Sequence, residues 1–418
     1  MMERILSREN LIQALKRVER NKGSQGVDHM PVQNLRSHVM EHWSTLRSEL
    51  EKGTYQPAPV RRVEIPKPDG GVRLLGIPTV VDRFIQQAIA QELTKVFDPI
   101  FSEHSYGFRP KRNAHQAIRR AKSYIREGNR WVVDMDLEKF FDKVNHDKLM
   151  GLLAKSIKDS KLLRIIKRYV KSGILMNGVC VRSSEGTPQG GPLSPLLANI
   201  VLHELDKELE KRGHRFVRYA DDFHIYVSSR KAGYRVMNAI TTFIEKKLHL
   251  KVNRKKSAVD RPWRRKFLGF SFTSYGTPKV RVHQRSVKRL KEKIRELTSR
   301  SKGWSMEYRI RKLNQYLIGW CGYFALADTK SIFSRLDAWI RRRLRMCLWK
   351  EWKRPKTRKR KLIALGVPGW RALEWANTRK GYWRIADSPI LHKTLNNSYW
   401  NRLGLRSLYQ RYIFLRQS

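Results

Sequence analysis

Phe216-Val217-Arg218-Tyr219-Ala220-Asp221-Asp222-Phe223-His224-Ile225-Tyr226-Val227 sets two adjacent acids between two apolar runs. After the acids, Phe223, Ile225 and Val227 alternate with His224, Tyr226 and Ser228, which is the period of a strand. The stretch reads as strand, tight turn, strand, with both carboxylates at the turn. A surface hairpin also favours Asp at its turn, so the motif alone leaves a solvated turn and a site both open. A second acidic strand upstream shifts the balance: Trp131-Val132-Val133-Asp134-Met135-Asp136-Leu137-Glu138-Lys139-Phe140-Phe141-Asp142. Two acidic strand ends side by side could hold two divalent cations about 4 Å apart, the arrangement used for in-line phosphoryl displacement.

The chain around these strands has 418 residues, enough for two or three domains. Lys and Arg number 88 against 37 Asp and Glu, a formal charge of +51. Self-repulsion at that charge opposes compactness, so a polyanionic partner is expected. Twelve Trp, fifteen Tyr and fifteen Phe accompany the charge and favour nucleic acid over a lipid surface. No stretch of about 18 apolar residues reads as a membrane span. The first ten residues lack the apolar core of a signal peptide. Cys180, Cys321 and Cys347 are isolated, which indicates buried reduced thiols rather than a zinc site or disulfides.

Taken in order, Leu11, Leu15 and Val18 share a helix face, and the glycine-containing loop Asn21–Asp28 breaks it. Residues 60–80 read as a hairpin about Pro66-Lys67-Pro68-Asp69-Gly70-Gly71, with Arg61, Arg62, Lys67 and Arg73 upon it. By itself that is more simply a solvated hairpin than a cationic finger over a triphosphate. Helices follow, one on Ile85, Ile89 and Leu93 and one at 114–127, and Asn145 or Asp147 caps another. Gly186-Thr187-Pro188-Gln189-Gly190-Gly191-Pro192-Leu193-Ser194-Pro195 reads as a rigid loop, with Ser194 as N-cap and Pro195 at the first helical position. Residues 230–250 read as helix, Leu250–Ser257 as a strand running into a basic turn, and Phe267–Phe272 as a further strand. From about 286 three amphipathic stripes predict a small basic bundle, including Arg341-Arg342-Arg343. The run Lys353–Lys361 has the composition of a solvated linker. Residues 362–418 mix Trp370, Trp375, Trp383, Tyr399 and Trp400 with arginines, which predicts a folded module rather than a tail. No internal repeat is found.

These motifs, in this order, resemble the reverse transcriptases of bacterial group II introns. Tyr219-Ala220-Asp221-Asp222 looks like their YADD box, and Thr187–Pro195 like their template-and-nucleotide loop. Val133–Asp136 with Phe140-Phe141-Asp142 resembles their first acidic motif. Gly107-Phe108-Arg109-Pro110 and Phe267–Phe270 look like two further blocks, and Asn21–Asp28 like the N-terminal block of non-retroviral members. Asn314-Gln315-Tyr316, Gly319-Trp320 and Gly322-Tyr323-Phe324 are similar to the thumb, or maturase, domain. The resemblance covers essentially the whole chain and is closest to class C members, which lack the endonuclease domain.

The resemblance implies an α+β right-hand polymerase with fingers, palm and helical thumb. It divides the chain into an N-terminal extension (1–40), fingers and palm (41–280), thumb or maturase domain (281–355) and a C-terminal DNA-binding module (356–418). It implies an RNA-directed DNA polymerase that binds group II intron RNA, assists its splicing and copies it during intron mobility. Asp136, Asp221 and Asp222 would be the catalytic metal ligands for two Mg2+ ions, with Mn2+ as a substitute. Asp136 lies five residues before Phe141, the family's spacing between catalytic acid and sugar-screening aromatic; Asp134 is read as structural. Phe141 would exclude a ribose 2′-OH. Lys67 and Arg73 would hold the triphosphate, Gln189 would line the nucleotide and template pocket, and Lys256 matches a basic position after the YADD box. Implied partners are an RNA template with a DNA or RNA primer, target DNA, dNTPs and a second copy of the chain when RNA is absent, with no membrane. The implied location is the bacterial cytoplasm, with the nucleoid or ribonucleoprotein. With no cysteine after Cys347, the family's cysteine-stapled nuclease is expected to be absent, and Asp387 and His392 are read as surface residues. A host-adopted enzyme of repair or defence and a non-catalytic splicing factor are the alternatives; three intact carboxylates argue against the second.

Overall fold

The computed structural model describes residues 1–66, 70–176, 179–181 and 190–417, with the side chains of 73, 174–176 and 179–181 outside the description. The chain forms two units, Met1–Arg265 and Lys266–Ser418.

The first unit opens with α1 (Met2–Ile5), α2 (Arg8–Asn21), capped by the Ser7 side chain, and α3 (Leu35–Lys52). Strands β1 (Val60–Pro66) and β2 (Val72–Ile77) pair antiparallel, as the turn signal between them requires. Helix α4 (Val80–Phe97) starts at Thr79, whose hydroxyl accepts from the Asp82 N–H. Buried Asp82 in turn accepts from Tyr55 Oη at 2.9 Å, Thr79 Oγ1 at 2.7 Å and the Ala58 N–H at 3.2 Å. Helix α5 (Ala114–Arg126) begins on a reciprocal Asn113–Gln116 cap. After β3 (Trp131–Met135) come α6 (His146–Ser156), capped by Asn145, and α7 (Ser160–Lys171). The short strands β4 (Ile174–Met176) and β5 (Val179–Val181) complete a sheet of order β2-β1-β4-β5.

Helix α8 (Ser194–Lys211) begins one residue before the sequence-based expectation. Leu193 is its N-cap and makes no side-chain cap bond, and Ser194 is already helical and buried. The chain then forms β6 (Arg215–Tyr219) and β7 (Asp222–Val227), the expected hairpin, and α9 (Arg230–Lys247). Leu250–Ser257 is not a strand. Only Val252 bridges, to Leu137, and a turn over 253–257 leads into β8 (Ala258–Asp260). The resulting sheet has the order β6-β7-β3-β8, all neighbours antiparallel. Val133, Met135, Phe223 and Ile225 are fully buried, and α9 packs on β3, β7 and β8.

In the second unit, β9 is only Phe270–Phe272. Phe267–Gly269 is a tight turn, with Leu268 at φ +49° and Gly269 at +85°, because Phe267 and Phe270 bond each other's backbone. β9 pairs with β10 (Val280–Val282). The expected stripes form α10 (Gln284–Leu297), α11 (Met306–Phe324) and α12 (Ser331–Glu351), with Leu290, Ile294, Leu313, Leu317, Phe333, Leu336 and Leu344 buried. The basic run is no linker. Pro355 opens α13 (Pro355–Ala364), whose Leu362 is buried, so the charges lie on a helix that a single apolar anchor holds down. Further helices at Gly369–Ala376, Tyr382–Ile385, Pro389–Thr394, Asn397–Arg402 and Leu408–Gln417 bury Trp400, Leu391 and Ile385, a folded region as composition predicts. Among the described residues, no helix is long and apolar enough to cross a membrane. Cys321 and Cys347 are buried free thiols.

Candidate functional site

Asp136 follows the last residue of β3, and Asp221 precedes the first residue of β7. Met135 pairs with Phe223, so the same register carried one step further sets Asp136 beside Asp222. Asp136 and Asp221 line one cleft of about 1160 Å³. Its walls include Phe140, Phe141, Asn253, Arg254 and Lys256, and Arg62, Glu64, Val72 and Leu74 of the β1–β2 hairpin. Acidic and basic side chains share its walls.

The turn after Val252 holds the Asp136 backbone. The Asp136 N–H donates to Ser257 Oγ at 3.1 Å, and the Asn253 N–H donates to the Asp136 carbonyl at 2.8 Å. Burial raises the Asp136 carboxyl above its ordinary value; Lys256, with Nζ 3.9 Å from Oδ2, opposes this, and the Asp221 and Asp134 charges add to it. A carboxyl raised chiefly by burial, with acidic neighbours adding to it, is a group that a cation would relieve. That donor set, few carboxylates in an open cleft, fits Mg2+, which keeps several waters and shares its shell with substrate phosphates.

Asp134 has different company. Arg265 donates Nε to its Oδ2 at 2.7 Å, with Nη2 at 2.5 Å from the same oxygen, and His224 Nε2 lies 3.3 Å from Oδ1. Burial would raise this carboxyl, yet His224 and Arg265 hold it below its ordinary value. Ligand atoms of Asp134, Asp222 and His224 all lie within 4.8 Å of one another, the arrangement of a three-ligand metal set. Arg265 already supplies a full positive charge to that cluster. It therefore reads as an ionic support behind Asp222 rather than as the cation site itself. Arg265 also donates Nη2 to the Lys256 carbonyl at 2.8 Å, tying this support to the turn beneath Asp136.

Phe141 sits on the cleft wall, edge-on to buried Phe140 with centroids 5.2 Å apart and planes at 69°. Lys67 and Gln189 lie outside the described residues. Arg73 pairs in β2 opposite Ile65, and its side chain is likewise outside the description. The described structure thus brings together Asp136, Asp221, Phe141 and Lys256 in one cleft, with Asp222 on the adjoining strand.

The motif Gly107-Phe108-Arg109-Pro110 supports the acidic turn. Arg109 is fixed by Asp98 at 2.7 Å and by the Ser102 and Ser105 carbonyls at 2.6 and 3.0 Å. Ser105 bridges to Arg218 in parallel, laying this segment along β6. Sequence reading had assigned nothing to Arg218, Asp206, Asn199, His224 or Arg265. An arginine directly between the apolar pair Phe216-Val217 and Tyr219-Ala220 was the available signal for the first.

In the second unit, cations stack on aromatic faces. Lys291 and Arg295 each lie 5.6 Å from the Trp339 ring, and Arg342 lies 4.0 Å from Trp383. Asp387 is taken by Arg342 at 2.8 Å and by His392 at 3.0 Å.

Residues 65–272 match the sequence family described as reverse transcriptase (RNA-dependent DNA polymerase), and residues 287–364 match the group II intron maturase-specific domain. Protein YkfC of Escherichia coli (strain K12) is 33% identical over 272 residues, covering 56% of this chain and 71% of that protein. The group II intron-encoded protein LtrA of Lactococcus lactis subsp. cremoris is 46% identical over 159 residues, 38% of this chain and 26% of LtrA. Among solved structures, a partial Cas6-RT-Cas1–Cas2 complex is similar at 27% identity and TM-score 0.38, over 58% of this chain and 42% of that one.

Proposed function

The chain belongs to the reverse transcriptases that carry a group II intron maturase-specific domain, and from that membership we propose how its cleft performs RNA-directed DNA synthesis on intron RNA. The observation that carries the reading is that Asp136 and Asp221 share one cleft and that the Asp221 charge helps to raise the Asp136 carboxyl. Asp136, Asp221 and Asp222 are the residues to hold two Mg2+ ions. When bound, the ions would activate the primer 3′-oxygen and neutralise the leaving pyrophosphate.

The chain's own groups do the remaining work. The turn at 253–257 fixes Asp136 through both its N–H and its carbonyl. Phe141 stands on the cleft wall where its ring excludes a 2′-OH. Lys67 and Arg73 would hold the triphosphate, Gln189 would line the nucleotide and template pocket, and Lys256 is a basic residue of the cleft wall after the acidic turn. Residues 281–355 act as thumb and maturase domain and 356–418 as a DNA-binding module. Their stacked Arg, Lys and Trp faces suit gripping nucleic acid through phosphate contact and base stacking. In this reading the protein binds group II intron RNA, assists its splicing and copies it into DNA.

The test is primer extension on an RNA template with dNTPs and Mg2+, beside binding of a structured intron RNA. Asp136→Asn and Asp221→Asn should each lower extension by at least on the order of 10²–10³-fold and leave RNA binding intact. Full extension by either purified variant would remove that residue from the metal set.

A further inference from the structure

The turn that presents Asp221 runs through Ala220, whose φ is +58°. That is the left-handed region, where a residue with a Cβ persists only if its surroundings enforce it. Two neighbours do so. Arg218 donates Nη1 to the Ala220 carbonyl at 3.0 Å and to Asn199 Oδ1 at 2.8 Å. Its other edge is gripped by Asp206, Nε to Oδ1 at 2.7 Å and Nη2 to Oδ2 at 2.6 Å. Arg218 and Asp206 are both 0% exposed.

Gly107 also packs on the turn: an added Cβ there would stand 2.3 Å from the Ala220 nitrogen. Asn199 Nδ2 donates to the Gly107 carbonyl at 2.8 Å, so one amide side chain joins Gly107 and Arg218. The Tyr106 N–H donates to the Arg218 carbonyl, and the Arg218 N–H to the His104 carbonyl, both at 2.9 Å.

A fully buried ion pair is a poor source of stability, since well-packed apolar residues commonly serve as well or better. What an apolar replacement cannot do is hold a carbonyl. The guanidinium fork satisfies Asp206 along one edge and has a nitrogen left for the residue before the acidic pair.

We propose that Arg218, anchored by Asp206 and Asn199, is a positioning residue for the polymerase reaction: it locks Ala220 in the left-handed conformation and so fixes Asp221 and Asp222 relative to Asp136. The inference rests on the reading of those aspartates as metal ligands. A lysine in place of Arg218 keeps the charge opposite Asp206 but not the fork.

The experiment compares full-length Arg218→Lys and Asn199→Ala with the parent protein. It reads melting temperature, structured-RNA affinity, kcat and template–primer KM for extension, and the Mg2+ concentration giving half-maximal rate. The expected result for Arg218→Lys is unchanged RNA affinity and KM, kcat lower by on the order of 10- to 100-fold, and a Mg2+ requirement raised several-fold, since misplacement of about 1 Å costs rate at this scale. Asn199→Ala should move the same two quantities in the same direction, less far. A folded Arg218→Lys protein with parental kcat and Mg2+ requirement overturns the proposal. If that variant does not fold, Asn199→Ala, which alters no charge, decides by the same criterion. Asp221→Asn run alongside separates the two readings. If it extends primers fully, the metal-ligand reading fails; if it is inactive while Arg218→Lys is fully active, only the role of Arg218 fails.

Discussion

Arg265 holds Asp134 through Nε at 2.7 Å and Nη2 at 2.5 Å from a single carboxylate oxygen, while Asp136, two residues along, faces the Lys256 ammonium at 3.9 Å and the Asn253 side chain. Two acids on one strand end thus have different employments. Asp134→Asn should lower stability by roughly 1–3 kcal/mol, because it leaves a half-buried guanidinium without its counter-charge. It should cost far less extension activity than Asp136→Asn, which should melt close to the parent. Denaturant melts and extension rates on both proteins check this. A reversed order would exchange their roles.

Phe141→Ala should weaken the preference for deoxynucleotides. The ring lies on the cleft wall, packed against Phe140 at the edge of the core, so its removal opens space beside Asp136. The measurement is the ratio of kcat/KM for dNTP and NTP. An unchanged ratio would make Phe141 a packing residue.

Binding of structured RNA should weaken steeply with salt, by at least on the order of 10³-fold between about 50 and 200 mM, as counterions released by many Lys and Arg contacts dictate. The formal charge of +51 motivates the expectation. A titration series at four salt concentrations gives the slope, and a flat one contradicts polyanion binding.

Burial raises the Asp82 carboxyl above its ordinary 3.8, against hydrogen bonds from Thr79, Tyr55 and Ala58. The folded state therefore holds a proton that the unfolded state has lost. Stability falls as pH rises from 3.8 to the folded value and is level beyond it. Asp82→Asn has no such proton, so as pH rises above about 4 its stability should gain on the parent's until the folded carboxyl has ionised. Melts of both proteins across that range measure the difference; one that is constant with pH would show an ordinary carboxyl.

Alternation and punctuation made the palm legible in sequence. The period of two over Phe223–Val227 does mark a strand, though His224 and Tyr226 are buried as well as Phe223, Ile225 and Val227, and Asp221-Asp222 does fall at the turn. The flanks were less legible. Leu250-Lys251-Val252 has strand composition but obtains one bridge, since the tight turn below it is committed to Asp136. Lys353–Lys361 has the composition of a linker and becomes helix because Pro355 starts it and Leu362 anchors it. The Arg218–Asp206 pair joins residues twelve apart on a strand and a helix, and no local pattern announces such a contact. The split employment of Asp134 and Asp136 depends on Arg265, 131 residues downstream of the first.

The pairing of β3 with β7 fixes more than side chains. Met135 lies opposite Phe223 and Asp134 opposite His224. Inserting or deleting one residue between Trp131 and Asp136, or between Asp222 and Val227, would turn every later side chain to the other face. Buried Met135 or Phe223 would then trade places with an acid. Over such stretches a lineage can exchange letters freely at many positions, yet it cannot change their number. Length variation among related chains should therefore collect in the connections, and the spacing from Trp131 to Asp136 and from Asp222 to Val227 should stay frozen even where the residues themselves have drifted.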